Sequence, residues 1–248
     1  MFFAFDVDGT LTPSRQRIDP DFEQWFIRWM SFVQEKGHSV LLVTGSDYDK
    51  TVEQLGSAIT ESVDYCCNCL GNHVLNKGML IESYTFSPSP ELINFLEKEL
   101  ETSPYAERYG NHIEHRGSMV NFSIVGRNAI AEQRTRYYEW DKLSCERLSL
   151  AEKINNLFSE VSAQAGGETG IDIIPTGRDK RQVIKYTGND KVWFFGDRLD
   201  EGGNDKPLAD ALLASGTGSE AFHVKSWQET WEMLKDITIN ELQITIHK

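Results

Sequence analysis

The chain is predicted to be an α/β protein whose parallel sheet, alternating with helices, is interrupted by an inserted α+β unit. Three observations lead there. Apolar strand-like runs alternate with amphipathic stretches at both ends of the sequence, an order that implies right-handed parallel crossovers. Between residues 84 and 176 that alternation gives way to paired short strands and paired helices. The length of 248 residues suits two modest domains and a sizeable core without disulfides or structural metal. The expected division is a discontinuous core of residues 1–83 and 177–248, with a cap of residues 84–176.

The elements follow in order. Residues 2–7 are an apolar run ending in acidic residues and Gly9, as expected of a buried parallel strand that opens into a functional loop. Asp19 and Pro20 read as N-cap and first helical residue; Phe22, Trp25, Phe26, Trp29, Met30 and Val33 then recur at helical spacing, and Gly37 stands just past the end. Residues 40–43 form a second buried strand stopping at Thr44-Gly45-Ser46, and 47–55 have helical character. Cys66, Cys67 and Cys69 follow as a strand and turn would. Their spacing with His73 matches no usual zinc pattern and favours buried thiols.

In the insert, Pro88 and Pro90 lead into a helix over 91–100, and 112–115 and 119–123 are short alternating segments. Helices are expected near 132–140 and 150–164, and a strand at 171–174. Gly177 marks the return, 180–186 is read as helical, 192–195 as a core strand ending in Gly196-Asp197, and 227–234 as a late helix. The tail, 238–248, alternates weakly and receives no element.

Composition narrows the function. Hydrophobic residues at 40% and charged residues at 25% are those of an ordinary globular protein. A net charge of −13 repels polyphosphate, so nucleic acid is disfavoured and an anionic small substrate must be met by positive charge placed locally. No apolar run approaches the roughly 20 residues of a membrane span. The four cysteines are unlike a secreted disulfide framework and no basic leader is seen, so a reducing cytoplasm is expected.

Three strands end in polar residues: Asp6 and Asp8, Thr44 and Ser46, and Asp197. The carboxyl ends of neighbouring parallel strands line one crevice, so these groups converge despite their separation in sequence. Two carboxylates brought together need a cation, and oxygen ligands without His or Cys favour Mg²⁺. The expected metal set is Asp6, Asp8, Asp197 and Asp205, with Asp205 ordering a metal-bound water. Such a centre suits phosphoryl transfer, with Lys180 as a second cation and the hydroxyls and N–H groups of Thr44, Gly45 and Ser46 on the remaining phosphate oxygens. Asp6 is then the nucleophile, and Asp8 the general acid and base.

The run Phe5-Asp6-Val7-Asp8-Gly9-Thr10-Leu11 resembles the first motif of the haloacid dehalogenase superfamily. Thr44-Gly45-Ser46, Lys180, and Gly196-Asp197 with Gly202-Gly203-Asn204-Asp205 are similar to its other motifs, in order. The resemblance implies a Rossmann-like core, and the insert resembles a type-IIB cap. It extends to eukaryotic-type phosphomannomutases through residues 11–16, Gly177-Arg178-Asp179-Lys180-Arg181, residues 115–123, Gly126-Arg127 and Gln133-Arg134. That family implies that Arg116, Arg127 and Arg134 bind the phosphate distal to the reaction, that Arg15 lies near the substrate, and that Asp172 contacts sugar hydroxyls. It also implies Mg²⁺, a hexose phosphate substrate, a hexose bisphosphate activator, and a homodimer through the cap. Two departures stand out. Gly170 takes the place of a serine two residues before Asp172, leaving a hydroxyl contact missing or supplied by Thr169; Arg178 replaces a tryptophan.

The arginines make sense on charge alone. A mutase holds a bisphosphorylated sugar while either phosphate takes its turn at Asp6, so it needs a second anion site; a phosphatase does not. A mutase acting on mannose phosphates is therefore the leading expectation. A Mg²⁺-dependent sugar-phosphate phosphatase is the alternative, and a non-catalytic phosphosugar-binding protein a third reading that no missing catalytic residue favours.

Overall fold

The structure, a computed structural model, describes residues 1–240. It divides into two compact units: Met1–Glu82 with Lys180–Leu199 and the C-terminal residues from Asp205 onward, and Ser83–Asp179 with Asp200–Asn204. The second unit is thus longer than the 84–176 expected. The Gly177 turn stays within it, because the Arg178 N–H bonds back to the Pro175 carbonyl and the Arg178 guanidinium lies over the Tyr84 ring.

The first unit is built on a seven-stranded sheet. In chain order its elements are β1 (Phe2–Phe5), α1 (Pro20–Glu35), β2 (Ser39–Val43), α2 (Tyr48–Leu55), α3 (Ser57–Thr60), β3 (Tyr65–Asn68), β4 (His73–Asn76) and β5 (Met79–Ser83). The strand order from the far edge is β11-β10-β1-β2-β3-β4-β5, where β10 is Val192–Gly196 and β11 is Glu220–His223. The pairs β11–β10, β10–β1, β1–β2 and β2–β3 are parallel, and β4 turns antiparallel onto β3. β1 is therefore the middle one of the five parallel strands, and Asp6, Thr44 and Asp197 each follow the carboxyl end of one of three adjacent strands.

Both faces of this sheet are apolar, as a parallel sheet covered by helices requires. One face carries Phe3, Phe5, Val40, Leu42, Trp193 and Phe195 against Phe22, Phe26, Trp29 and Val33 of α1. The other carries Phe2, Ala4, Leu41, Val43 and Phe194 against Leu208, Ala209 and Leu212 of α8 (Lys206–Ala214). α1 starts where the Asp19 carboxylate accepts N–H bonds from Asp21 and Phe22, with Pro20 as its first residue. Ring stacking extends this layer: Phe22 lies 5.2 Å from Trp231 of α9 (Trp227–Asn240), and Phe5 stacks on Phe195 at 5.1 Å.

The second unit holds α4 (Pro90–Thr102), β6 (Ile113–His115), β7 (Val120–Phe122), α5 (Ala131–Ser144), α6 (Glu146–Leu157), β8 (Val161–Gly166) and β9 (Gly170–Pro175). Its four strands form an antiparallel sheet in the order β6-β7-β9-β8. Val120, Phe122, Val161, Ala163, Ile171 and Ile173 pack against Leu92, Leu96, Tyr137, Leu150 and Ile154 of the three helices. The helix expected over 150–164 ends at Leu157, and 161–166 is a strand. Phe158 is extended, and from Val161 the apolar residues recur every second position, the period of a strand packed on one face. The helix read over 180–186 is a 3₁₀ turn, Lys180–Val183, continued by the short α7 (Ile184–Thr187). The segment 241–248 of the tail lies outside the described residues. No described helix is long and apolar enough to cross a membrane.

Cys66, Cys67 and Cys69 are buried, and burial pushes the Cys66 thiol up to about 12 and that of Cys67 well above its usual range. Cys145 is exposed. A disulfide reagent near pH 8 is expected to label only Cys145 in the native protein and all four cysteines after unfolding. Rapid native labelling that survives Cys145→Ser contradicts this arrangement.

Candidate active site

The first loop of the core, after β1, is set by backbone bonds: the N–H groups of Leu11 and Thr12 return to the Val7 carbonyl, and Gly9 N–H bonds the Thr12 carbonyl. Gly9 has φ +82°, and a Cβ there would fall 2.5 Å from Asp197 Oδ2. Only glycine admits both the backbone turn and the close approach of that carboxylate. Asp6 is 5% exposed and its N–H bonds the Phe195 carbonyl, tying the end of β1 to β10.

Asp6, Asp197 and Asp205 converge, with one oxygen from each lying within 4.8 Å of the others. Lys180, fully buried, donates from Nζ to Asp6 Oδ1 and to Asp205 Oδ1, both at 2.6 Å. The other Asp205 oxygen accepts the Arg198 N–H at 3.0 Å. Burial raises the Asp6 carboxyl well above the usual carboxylate range; Lys180 opposes this, while Asp205 and Asp197 add to it. Asp197 is pushed up to about 7 by burial and then by Asp205. Burial works against the charge of Lys180, yet the two carboxylates on its ammonium outweigh it and raise its pKa.

Three carboxylates facing one ammonium leave a surplus of negative charge in a desolvated site. Oxygen donors without His or Cys suit a hard divalent cation such as Mg²⁺. Asp6, Asp197 and Asp205 are the residues that would hold it, and the repulsion raising Asp6 and Asp197 is what such a cation offsets.

Asp8, expected among the ligands, does not join this group. Its Oδ1 accepts from the Arg15 N–H and from Gln54 Nε2 at 3.0 Å, and its Oδ2 accepts from Ser46 Oγ at 3.2 Å. Both oxygens of the Asp8 carboxylate are thus engaged by donors from other segments. Gln54, unnoticed in the sequence, also donates to Thr12 Oγ1 at 3.1 Å. Its place among the buried residues Thr51 and Leu55 on one side of α2 is the signal that a polar residue is kept inside for a partner. Thr44 Oγ1 accepts the Ser46 N–H at 3.1 Å, which holds Thr44, Gly45 and Ser46 as one tight turn beside Asp8. Arg15 is half-buried with a left-handed backbone (φ 59°), and the N–H that this exposes is the one given to Asp8.

The second unit has its own cationic cluster. Arg116 pairs with Glu114 at 2.6 Å and Arg127 with the same carboxylate at 3.3 Å. Arg134 is separate, paired with Glu168 at 3.2 Å. The three side chains are only 9–12% exposed, so Glu114 and Glu168, which the sequence did not mark, act as their resident counter-ions. Asp172 is buried on β9 and accepts from Asn121 Nδ2 at 2.6 Å.

Lys180→Met leaves Asp6 and Asp205 without their shared cation. A loss of about 3–5 kcal/mol is expected, read as a lower midpoint of chemical denaturation, with partial recovery on adding Asp205→Asn. An unchanged midpoint speaks against the ion-pair arrangement.

Comparisons with known proteins agree on the family. The sequence model of eukaryotic phosphomannomutase matches residues 30–239. The chain is 33% identical over 212 residues to the phosphomannomutase of Arabidopsis thaliana, covering 81% of this chain and 83% of that one. It is 33% identical over 214 residues to human phosphomannomutase 1, covering 81% and 80%. Among solved structures, SMU.1108c from Streptococcus mutans aligns with a TM-score of 0.65 at 16% identity over 98% of this chain and 99% of that one. The C-terminal domain of the Candida albicans trehalose-6-phosphate phosphatase aligns at 0.65, with 16% identity over 95% and 91%. A haloacid dehalogenase-like hydrolase from Bacteroides thetaiotaomicron aligns at 0.59, with 14% identity over 95% and 98%. The structural matches carry the fold; the sequence matches carry the family, and the chain belongs to the eukaryotic phosphomannomutases.

Proposed function

We propose that the protein interconverts mannose 6-phosphate and mannose 1-phosphate through a phosphorylated Asp6 and a hexose 1,6-bisphosphate. The observation that carries this reading is a second set of little-exposed arginines, away from the Asp6 centre in sequence. Besides the Asp6 centre, the chain places Arg116, Arg127 and Arg134 on or beside one small sheet. A bisphosphate needs two cationic sites, whereas simple hydrolysis needs one.

In each half-reaction an Asp6 carboxylate oxygen forms a bond to phosphorus as the bond from phosphorus to the sugar oxygen breaks. Asp8 gives that oxygen its proton, and takes a proton from the sugar hydroxyl when the phosphoryl group returns. Gln54, Ser46 and the Arg15 N–H hold Asp8 in position for both. Lys180 keeps one Asp6 oxygen paired, so the other attacks. Asp6, Asp197 and Asp205 would hold Mg²⁺, which would supply positive charge to the transferring phosphoryl group. Thr44, Gly45 and Ser46 offer hydroxyl and N–H donors to its oxygens, and Arg15 contributes charge near the substrate. We also infer a homodimer through the second unit, where Ile130, Leu143, Leu148 and Leu157 are exposed; sedimentation at the mass of one chain refutes it.

The test follows isomerised sugar and free phosphate in one tube. Mannose 1-phosphate consumption that depends on a hexose bisphosphate is expected; stoichiometric phosphate release instead makes the protein a phosphatase. Arg127→Ala is expected to lower isomerisation about 10- to 100-fold, the scale of one charged hydrogen bond. A phosphatase acting on small phosphates is little affected by it.

Mg²⁺ at 100 times its Kd is expected to stabilise the fold by about 2.7 kcal/mol, a rise in Tm of about 5–10 °C at this size. Asp197→Asn removes most of the rise. A Tm indifferent to Mg²⁺ in the unaltered protein removes the metal from the site.

A further inference from the structure

The 44–46 turn and the 3₁₀ turn Lys180–Val183 lie far apart in the chain, and the loop Cys69–Gly71 bonds to both. The Leu70 N–H donates to the Thr44 carbonyl at 2.8 Å, and the Cys69 N–H to the Ser46 carbonyl at 2.9 Å. These two bonds aim the turn. A trans peptide is planar with its C=O and N–H opposed, so a Thr44 carbonyl turned to Leu70 points the Gly45 N–H the other way. Gly45 is one of the donors assigned above to the phosphoryl oxygens.

The loop does not hold this shape by itself. Cys69 (φ 47°) and Leu70 (φ 60°) are left-handed although both bear side chains, and Gly71 follows at φ 88°. Residues with a Cβ seldom adopt that conformation and keep it only where their surroundings hold them. Two amides do so here. The buried Asn72 donates from Nδ2 to the Cys69 carbonyl at 2.8 Å. Gln182, half-buried and two residues after Lys180, donates from Nε2 to the Leu70 carbonyl at 2.8 Å. A carbonyl only accepts, which sets the Gln182 amide nitrogen toward it. Gly71 lets the loop and the 3₁₀ turn meet: a Cβ there would fall 2.9 Å from Gln182 Cγ and 3.0 Å from Val183 Cγ1.

We infer that Gln182 is a positioning residue for phosphoryl transfer: by clamping Leu70 it fixes the 44–46 turn relative to Lys180. It acts through these two turns and not by contact with the reacting atoms. The inference rests on the transfer to Asp6 in the reading above, a step that a mutase and a phosphatase share.

The experiment gives mannose 1-phosphate and a hexose bisphosphate to the unaltered enzyme, Gln182→Met and Gln182→Glu, and follows isomerised sugar and free phosphate together. Gln182→Met keeps the length of the side chain and removes the donor. Its kcat is expected to fall about tenfold, one hydrogen bond's worth. KM is expected to stay within about twofold, because the donors tighten in the transition state. Gln182→Glu sets a carboxylate against the Leu70 carbonyl at about pH 8 and regains a donor when protonated, so its rate relative to the unaltered enzyme is expected to climb as the pH falls toward about 5. In the metal-free protein, amide hydrogen exchange at Cys69 and Leu70 is expected to quicken in Gln182→Met while that of β1 does not. Unchanged exchange there, a kcat within about twofold of the unaltered enzyme, a loss carried by KM, or a Gln182→Glu ratio flat against pH overturns the inference. Phosphate release without isomerisation in the unaltered enzyme overturns the mutase reading, and Gln182 is then judged on the rate of that release. Absence of both products overturns the two together.

Discussion

The core site depends on one buried ammonium. Folding brings the ends of three parallel strands together, and with them carboxylates that repel one another in a desolvated place. Lys180 makes this tolerable by donating to Asp6 and Asp205 at once. The cost of burying it is large, since a charge taken from water is stabilised only by close partners. The pair of carboxylates meets that cost, and weakening the lysine leaves Asp6 and Asp205 without their shared cation.

The two units handle charge in opposite ways. In the core, the three carboxylates Asp6, Asp197 and Asp205 outnumber the single ammonium of Lys180. In the second unit, three arginines are met by Glu114 and Glu168, which leaves a small positive excess before Asp172 is counted. These ion pairs hold the long arginine side chains in place, so less rotamer freedom remains to be lost at this surface.

Much of this was legible in the sequence because it is local. The helix from Pro20 carries its own start signal, apolar stripe and terminal glycine, and the β1 loop announces itself through Asp-x-Asp-Gly. What failed depended on partners distant in the chain. Val161–Gly166 follows a helix whose apolar spacing overlaps the start of the strand, and only six-residue pairing with β9 decides the matter. Asp8 looks like a ligand by its nearness to Asp6, yet Gln54, Ser46 and the Arg15 backbone, from three separate segments, draw its carboxylate elsewhere. Glu114 gave no signal because its role arises from pairing with Arg116 and Arg127, which the fold brings to it.

The two departures from the family pattern differ in kind for the same reason. Arg178 lies 3.6 Å from the ring centroid of Tyr84, where a flat guanidinium stacks on an aromatic face much as an indole would. Tyr84 and Arg178 stand near the two ends of the inserted stretch, so this contact fastens one end of the insert to the other. Gly170 has no such like-for-like substitute: a Cβ there would fall 2.5 Å from Asn121 Nδ2, the atom that donates to Asp172. A change at 178 is therefore absorbed by packing, whereas the change at 170 alters the hydrogen-bonding groups beside Asp172.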